Sequence, residues 1–460
     1  MHPEYCSTAE SYLQLSIILG THAALLYLTF LEHTRGILRP APPPSPPTLP
    51  HSHIPGSSVV RPRQPRNHRE THAQNPAIMK RETEFLWLPL AFTNLYILTS
   101  LSQRMDNLTF VVVVFRHGDR APIDTYPNDP YKEKIWPNGL QQLTQEGVRQ
   151  QYELGRFLRR RYDHFLSSTY NRQEIYVRST DYDRTLMSAQ ASLAGLYPPN
   201  GSQLWHPEIH WQPIPVHTVP VSQDRLLKFP SKDCPRYYEL MRETIQQPEY
   251  QDKVNSWKDI MKRIANYTGY RAETTISRWV WKVYDTLFCQ KSHNISLPLW
   301  ATADVMKTLE EISAFDVKSH VEMHKTNEKA RLTGGILVDA LLRNFSDVVH
   351  KSLPLKMLMY SAHDSTLIAL QGALKVYNGL QPPYSSCHIF EFYKEVDGTH
   401  SVRMFYRNES SREPYELLLP GCASPCPVLN FTQLTAPMIP MDWRKECTSA
   451  CHVKTASDFF

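Results

Sequence analysis

Five residues with the makings of an anion site stand in one run, Arg116-His117-Gly118-Asp119-Arg120, followed by Ala121 and Pro122. Two guanidiniums flanking an imidazole make a place for a tetrahedral anion, because guanidinium forks match phosphate oxygens and a neutral imidazole is a nucleophile. Gly118 allows a sharp turn and a close approach of a ligand to the backbone. Two further polar clusters occur at Arg178-Ser179-Thr180 and at His363-Asp364. Cleaving a phosphate ester without a metal needs a nucleophile, positive charge on the equatorial oxygens and a proton for the leaving alcohol. Together the three clusters hold all of these.

Each cluster sits at the end of an apolar run. Residues 109–115, Thr-Phe-Val-Val-Val-Val-Phe, read as a strand buried on both faces of a sheet. Residues 174–178 and 355–360 read as two more strands, and 387–393 and 402–407 as later ones. If the first three are parallel neighbours, their polar ends meet in the crevice beyond the carboxyl edge of the sheet, where α/β proteins bind ligands. The fold class is therefore α/β, a mixed, mainly parallel central sheet flanked by helices. Thr144 reads as the N-cap of a helix through Tyr162, with Glu146 in its first turn and a solvated Arg159-Arg160-Arg161 at its last. Thr180 and Asp183 are spaced as a capping box for a helix reaching Leu196. Residues 327–350 and 365–377 read as further helices, the former with Gly334-Gly335 where another backbone packs closely. Between about 226 and 322 helical patterns replace strands, which predicts a helical cap insertion; Trp279 and Trp281 read as its core aromatics.

The sequence resembles the histidine acid phosphatases, the prostatic and lysosomal group in particular, from about Asn107 to Cys447. The resemblance rests on residues 116–122, on Tyr176-Val-Arg-Ser-Thr-Asp-Tyr-Asp-Arg-Thr185, on Tyr360-Ser-Ala-His-Asp-Ser365 and on 211–220; residues 225–229 and 284–289 lean toward the lysosomal member. It implies a metal-independent acid phosphatase without cofactor, acting on small-molecule or peptide phosphate monoesters. It also implies His117 as the nucleophile of a phosphohistidine intermediate and Asp364 as proton donor. Arg116, Arg120, Arg178 and His363 would hold the phosphoryl oxygens. Asp119 and Arg184 are expected in supporting positions, Asp119 bracing an arginine or capping the next helix. The resemblance further implies disulfides Cys234–Cys447, Cys289–Cys387 and Cys422–Cys426, and a homodimer contact around Trp211 and His217. Three guanidiniums around His117 should depress its pKa and keep it neutral in acid, while Asp364 must keep its proton.

Other phosphate chemistries lack their motifs: no cysteine is followed six residues later by arginine, and no glycine-rich lysine loop occurs. A phosphohistidine mutase and an inactive secreted binding glycoprotein are the alternative readings. The disulfide pattern and the His363-Asp364 pair weigh against the first, the full catalytic set against the second. A net charge of +5 over 460 residues, without a dense basic tract, argues against nucleic-acid binding.

Seven Asn-x-Ser/Thr acceptors, Asn294 and Asn408 among them, and eight cysteines point to the secretory pathway, with a secreted or lysosomal destination. Residues 1–78 read as an extension of linker composition with one apolar stretch, Leu13 to Leu31, which would act as a membrane anchor only if retained. Residues 79–102, from Met79-Lys80-Arg81 to Ser100-Leu101-Ser102, read as a signal peptide. The phosphatase domain then spans 103–452 and a polar tail 453–460.

Overall fold

The computed structural model describes residues 107–229, 233–271 and 276–448. The Leu13–Leu31 stretch, the leader from Met79, Cys6, Cys451 and the C-terminal tail lie outside the described residues.

The chain enters through β1 (Leu108–Arg116), whose side chains from Phe110 to Phe115 are completely buried. After a long loop, α1 (Gln145–Arg161) begins at Thr144, whose hydroxyl accepts the Gly147 N–H at 3.1 Å as expected of an N-cap. The Arg run at its end is only partly solvated. Arg159 closes the helix by donating to the Tyr162, Leu166 and Ser167 carbonyls, and Arg161 pairs with the buried Glu391. Strand β2 (Ile175–Ser179) leads to α2 (Asp183–Leu196). The expected capping box is not made there: the helix starts after Tyr182, and the Thr180 hydroxyl faces Thr185 and His363 instead.

Five helices follow as the cap: α3 (Pro235–Ile245), α4 (Pro248–Ser256), α5 (Lys258–Thr268), α6 (Ile276–Ser292) and α7 (Ala303–Val321). They enclose a core of their own that includes Trp257, Trp279, Leu287 and Leu309. Helices α8 (Thr326–Leu332) and α9 (Gly334–His350) replace the single helix expected there. The break falls at Thr333, next to the glycine pair. A Cβ on Gly334 would sit 1.9 Å from the Ala369 carbonyl oxygen, so that pair does mark a close backbone contact. Strand β3 (Met357–Ala362), α10 (Asp364–Ala373), β4 (Cys387–Lys394), β5 (His400–Arg407), β6 (Tyr415–Leu417), β7 (Cys426–Pro427), α11 (Val428–Thr435) and α12 (Trp443–Glu446) complete the described chain.

The strand order is β2-β3-β1-β4-β5-β6, with β7 on β5. The three strands that end in polar clusters form a parallel block at the core, and the others join antiparallel. Alternation along β1 divides the interior. Phe110, Val112 and Val114 pack on one face with side chains of α9 and α10, while Val111, Val113 and Phe115 pack on the other with α1 and α2. Each such side chain contributes roughly 1.5–3 kcal/mol of burial free energy, which explains why an uninterrupted apolar run belongs in the middle strand.

Disulfides join Cys234 to Cys447 and Cys422 to Cys426. Cys289 and Cys387, expected as a third bridge, are instead two buried free thiols. Cys387 begins β4 and faces the layer of Val113 and Phe115, whereas Cys289 packs with Ala121 and Trp136 beside the Arg120 guanidinium. The two sulfurs belong to different apolar clusters. Among the described residues no helix is long and apolar enough to cross a membrane.

Candidate active site

The register sets the site. Arg116 of β1 lies beside Ala362 of β3, and Ser179 of β2 beside Ser361, so the three polar clusters leave the sheet at one level. The turn after β1 is fixed through its backbone. His117 N–H donates to Ala362, Gln151 Nε2 donates to the Arg116 carbonyl, and Gly118 N–H donates to Ser188 Oγ. Gly118 is glycine for a packing reason rather than for a turn: a Cβ would lie 2.3 Å from the Gly147 carbonyl oxygen of α1. Asp119 is a brace. Its carboxylate binds the Thr144 hydroxyl and His293 Nε2 (2.7 Å), tying the turn to the start of α1 and to the end of α6.

His117 is 2% exposed, and its Nδ1 lies 2.8 Å from the Gly118 carbonyl oxygen. That oxygen can only accept, so Nδ1 carries the proton and Nε2 the lone pair. Burial lowers the pKa well below the ordinary histidine value, and the charges of Arg116, Arg184 and Arg120 lower it further. His363, ring centroid 5.7 Å away, is lowered likewise by burial, then by Arg184 and Lys228. Its Nδ1 accepts from Arg184 at 3.5 Å, and its Nε2 faces Thr180 Oγ1 at 3.0 Å. Both rings are neutral.

Asp364 opens α10 next to His363. Its Oδ2 pairs with Arg116 Nη2 at 3.0 Å and accepts from Gln381 Nε2 at 3.0 Å, and its Oδ1 accepts the Ser365 N–H at 2.7 Å. Burial pushes this carboxyl up, but Arg116 above all, and Arg120 with it, holds it well below the usual carboxylate range. Asp364, expected to keep its proton, is here the ionised partner of Arg116.

One of the expected anion ligands is placed elsewhere. Arg178 stands apart from the cluster, its Nη2 on the fully buried Asp224 at 2.8 Å. Asp224 also accepts the Leu226 and Leu227 N–H groups, so this pair pins the loop after the sheet edge. Arg184 occupies the place by the two histidines. It is buried under Tyr182 (4.7 Å to the ring), and burial with repulsion from Arg120 brings its pKa down to about 10, still cationic in acid. Arg120 does reach the cluster, but both of its terminal nitrogens are held by Asp285, at 2.9 and 3.0 Å.

The charges then sum simply. Arg116 is balanced by Asp364 and Arg120 by Asp285, while Arg184 has no carboxylate partner among the described residues. The Nε–H groups of Arg116, Arg120 and Arg184 are all buried without an acceptor. A cluster with a surplus cation and unused donors fits an anion. Among the described residues no group of three His, Cys, Asp or Glu side chains is placed to hold a metal ion.

Residues 107–407 match the family model described as the histidine phosphatase superfamily, branch 2. The chain belongs to this family. It is 55% identical over 343 residues to mouse testicular acid phosphatase, covering 72% of this chain and 80% of that protein. It is 52% identical over 347 residues to human lysosomal acid phosphatase (75% and 82% covered). With bovine prostatic acid phosphatase the identity is 50% over 352 residues (76% and 90%). Among solved structures it is similar to the Hafnia alvei phytase in complex with tartrate. There the TM-score is 0.57 at 16% identity, over 75% of this chain and 98% of that one, a likeness of fold.

Sequence reasoning passed over three further residues of this histidine phosphatase site. Tyr384 lies under the Arg116 guanidinium (4.1 Å) and 5.9 Å from the His117 ring. Gln381 binds Asp364, and Asp285 holds Arg120. All three come from distant loops or helices and carry no local signal. Trp279 is a core residue as expected, but Trp281 lines two cavities beside the site, one reaching Arg116 and the other Asp364.

Proposed function

We propose that this chain is a metal-independent acid phosphatase that hydrolyses phosphate monoesters through a phosphohistidine on His117. The observation that carries this reading is a buried His117 with its pKa lowered and its proton on Nδ1, set among three guanidiniums of which one, Arg184, has no carboxylate partner among the described residues. The ester's phosphoryl group binds against Arg116, Arg184 and the free Nε–H of Arg120, with His363 beside it. His117 Nε2 attacks phosphorus, the P–O bond to the alcohol breaks, and the leaving oxygen takes a proton from Asp364. A water then gives its proton back to Asp364 as its oxygen displaces the imidazole, which releases inorganic phosphate.

Asp364 must gain a proton before the first step, although in the free protein Arg116 keeps it ionised. The substrate itself corrects this. A phosphate dianion drawn to Arg116 and Arg184 neutralises the field that depresses the Asp364 pKa, so the carboxyl takes up a proton as ester binds. Acid pH favours that uptake and leaves His117 neutral, which gives an acidic optimum. The test is hydrolysis of p-nitrophenyl phosphate across pH without added metal, for the wild type and His117→Ala. Turnover in acid that the substitution abolishes supports the reading, and equal turnover by His117→Ala sinks it.

The finer placement belongs to the same proposal. Met79 begins the leader, and the phosphatase domain travels the secretory pathway to the lysosome or outside the cell. Asn294 and Asn408, both exposed, carry glycans. A homodimer forms along the β2 edge, where His217 stacks on Tyr176 at 4.6 Å and its backbone pairs beside Arg178, with Trp211 exposed nearby. Trp211→Glu should give a monomer by light scattering; an unchanged mass would remove the dimer proposal.

A further inference from the structure

A cavity of about 290 Å³ opens beside Asp364, between α10 and the cap helix α7. Asp364 and Ser365 line it on the α10 side, and its walls are apolar, with Phe229, Trp281, Val321 and Ile368 among them. It therefore lies on the side of the site from which Asp364 would protonate a leaving alcohol. Its size suits a single ring or a short chain.

The cavity has one feature that an apolar leaving-group pocket does not need, the carboxyl of Asp316 on α7. Among the described residues no hydrogen bond or ion pair reaches that carboxyl, and the low polarity around it pushes it up to about 7. Asp316 is half-buried on the cavity wall, and a carboxylate set against an apolar wall without a partner is costly, so a cation entering the cavity would stabilise it. Its surroundings leave the role open to a ligand. His320 of the same helix is engaged at Nδ1 by the Tyr237 hydroxyl of α3 (2.7 Å) and, with its pKa lowered by burial to about 4, is neutral. Tyr237 itself and Tyr250 of α4 are phenols raised far above neutrality. Lys329 of α8 spends its ammonium on the Ser319 and Met323 carbonyls. Asp364 is the partner of Arg116.

Resting on the phosphatase reading above, we infer that Asp316 is a specificity residue of a leaving-group pocket. This pocket takes phosphate monoesters whose alcohol is an aromatic or alkyl body ending in an ammonium group. The phosphoryl group sits on the arginines, the body lies against Trp281 and Ile368, and the ammonium pairs with Asp316.

Binding without turnover tests this independently of catalysis. The probes are 4-(2-aminoethyl)benzylphosphonate and 4-ethylbenzylphosphonate, which differ only in the ammonium, measured by calorimetry with the full chain at pH 7.5. The amine should bind about tenfold tighter or more, as expected of a charge-assisted hydrogen bond in a dry site. Asp316→Asn should remove the difference while leaving the ethyl compound's affinity unchanged, and Asp316→Leu should reverse the preference. Because Asp316 ionises only as pH rises through about 7, the preference should shrink at pH 5. Equal affinities in the wild type, or a loss of both ligands alike in Asp316→Asn, would overturn the inference. Phenyl phosphate turnover by the same preparations separates the two claims. Turnover with equal affinities overturns the pocket alone, and absent turnover with the ammonium preference intact overturns the hydrolase alone.

Discussion

Exchanging the two arginines of the β2–α2 segment, one at a time, discriminates most finely between alternative readings of this site. Arg184→Gln removes the guanidinium without a carboxylate partner, beside His363 and within the field of His117. Two unit charges about 4 Å apart at an effective dielectric of about 20 attract by about 4 kcal/mol, and a charge-assisted hydrogen bond measured by mutation is worth about 1.5–3 kcal/mol. A loss of roughly 2.5–4 kcal/mol of transition-state stabilisation follows, or about 10²–10³ in kcat/KM. A second readout moves with it. With one fewer guanidinium near the ring, the depressed pKa of His117 rises toward its ordinary value. Since the neutral ring is the reactive form, the acidic limb of the kcat/KM profile shifts to higher pH. Arg178→Gln does something different: it strips the buried Asp224 of its cation and should cost roughly 1–3 kcal/mol of stability. In the protein that remains folded, kcat/KM should stay within about threefold of wild type, with the acidic limb unmoved. The assay is p-nitrophenyl phosphate hydrolysis over pH, with thermal melting of each variant alongside. A hundredfold loss in Arg178→Gln together with near-normal activity in Arg184→Gln would refute the assignment.

Further predictions follow from the same geometry. Asp364→Asn should lower kcat by about 10²–10⁴ and abolish the alkaline limb. It should harm an alkyl phosphate more than the p-nitrophenyl ester, whose leaving group needs no proton; an intact alkaline limb would count against Asp364 as donor. Asp285→Asn leaves the buried Arg120 unpaired, and should destabilise the fold by about 3–5 kcal/mol in denaturant titrations. Gly118→Ala forces a Cβ against the Gly147 carbonyl and should cost about 1–3 kcal/mol while disordering His117. A variant as stable and active as wild type would show that the turn has slack.

The sheet and the position of the site were legible because they depend on local patterns. A run of valines between two phenylalanines belongs to a central strand, and polar clusters at the ends of three such strands meet if the strands are parallel neighbours, as the pairings of Arg116 with Ala362 and of Ser179 with Ser361 show. Thr144 was readable as a cap for the same reason, since its partner lies three residues away. The motif at the end of β2 points to Arg178, and only the alternation along the strand hints that Arg178 faces away from the cluster. Ile175, Val177 and Ser179 are the buried set of β2, which places Arg178 with the exposed Tyr176 on the other face. Arg184 is reached only by knowing that α2 starts after Tyr182 and turns its first residues back over the strand ends. The ionised state of Asp364 and the hold of Asp285 on Arg120 depend on residues over a hundred positions apart, and nothing in the sequence announces them. The same is true of Cys289 and Cys387, which pack in different apolar clusters.

The central claim is a covalent bond between phosphorus and His117, and its most direct test is to catch that bond. The wild type would be mixed with p-nitrophenyl phosphate at acid pH, quenched in alkali within milliseconds, digested and read by mass spectrometry. The account predicts one phosphoryl group on the peptide bearing His117, formed with a burst of p-nitrophenol, and none on the same peptide of His117→Ala. Steady turnover with no modified peptide, or a phosphoryl group on any other residue, would contradict it.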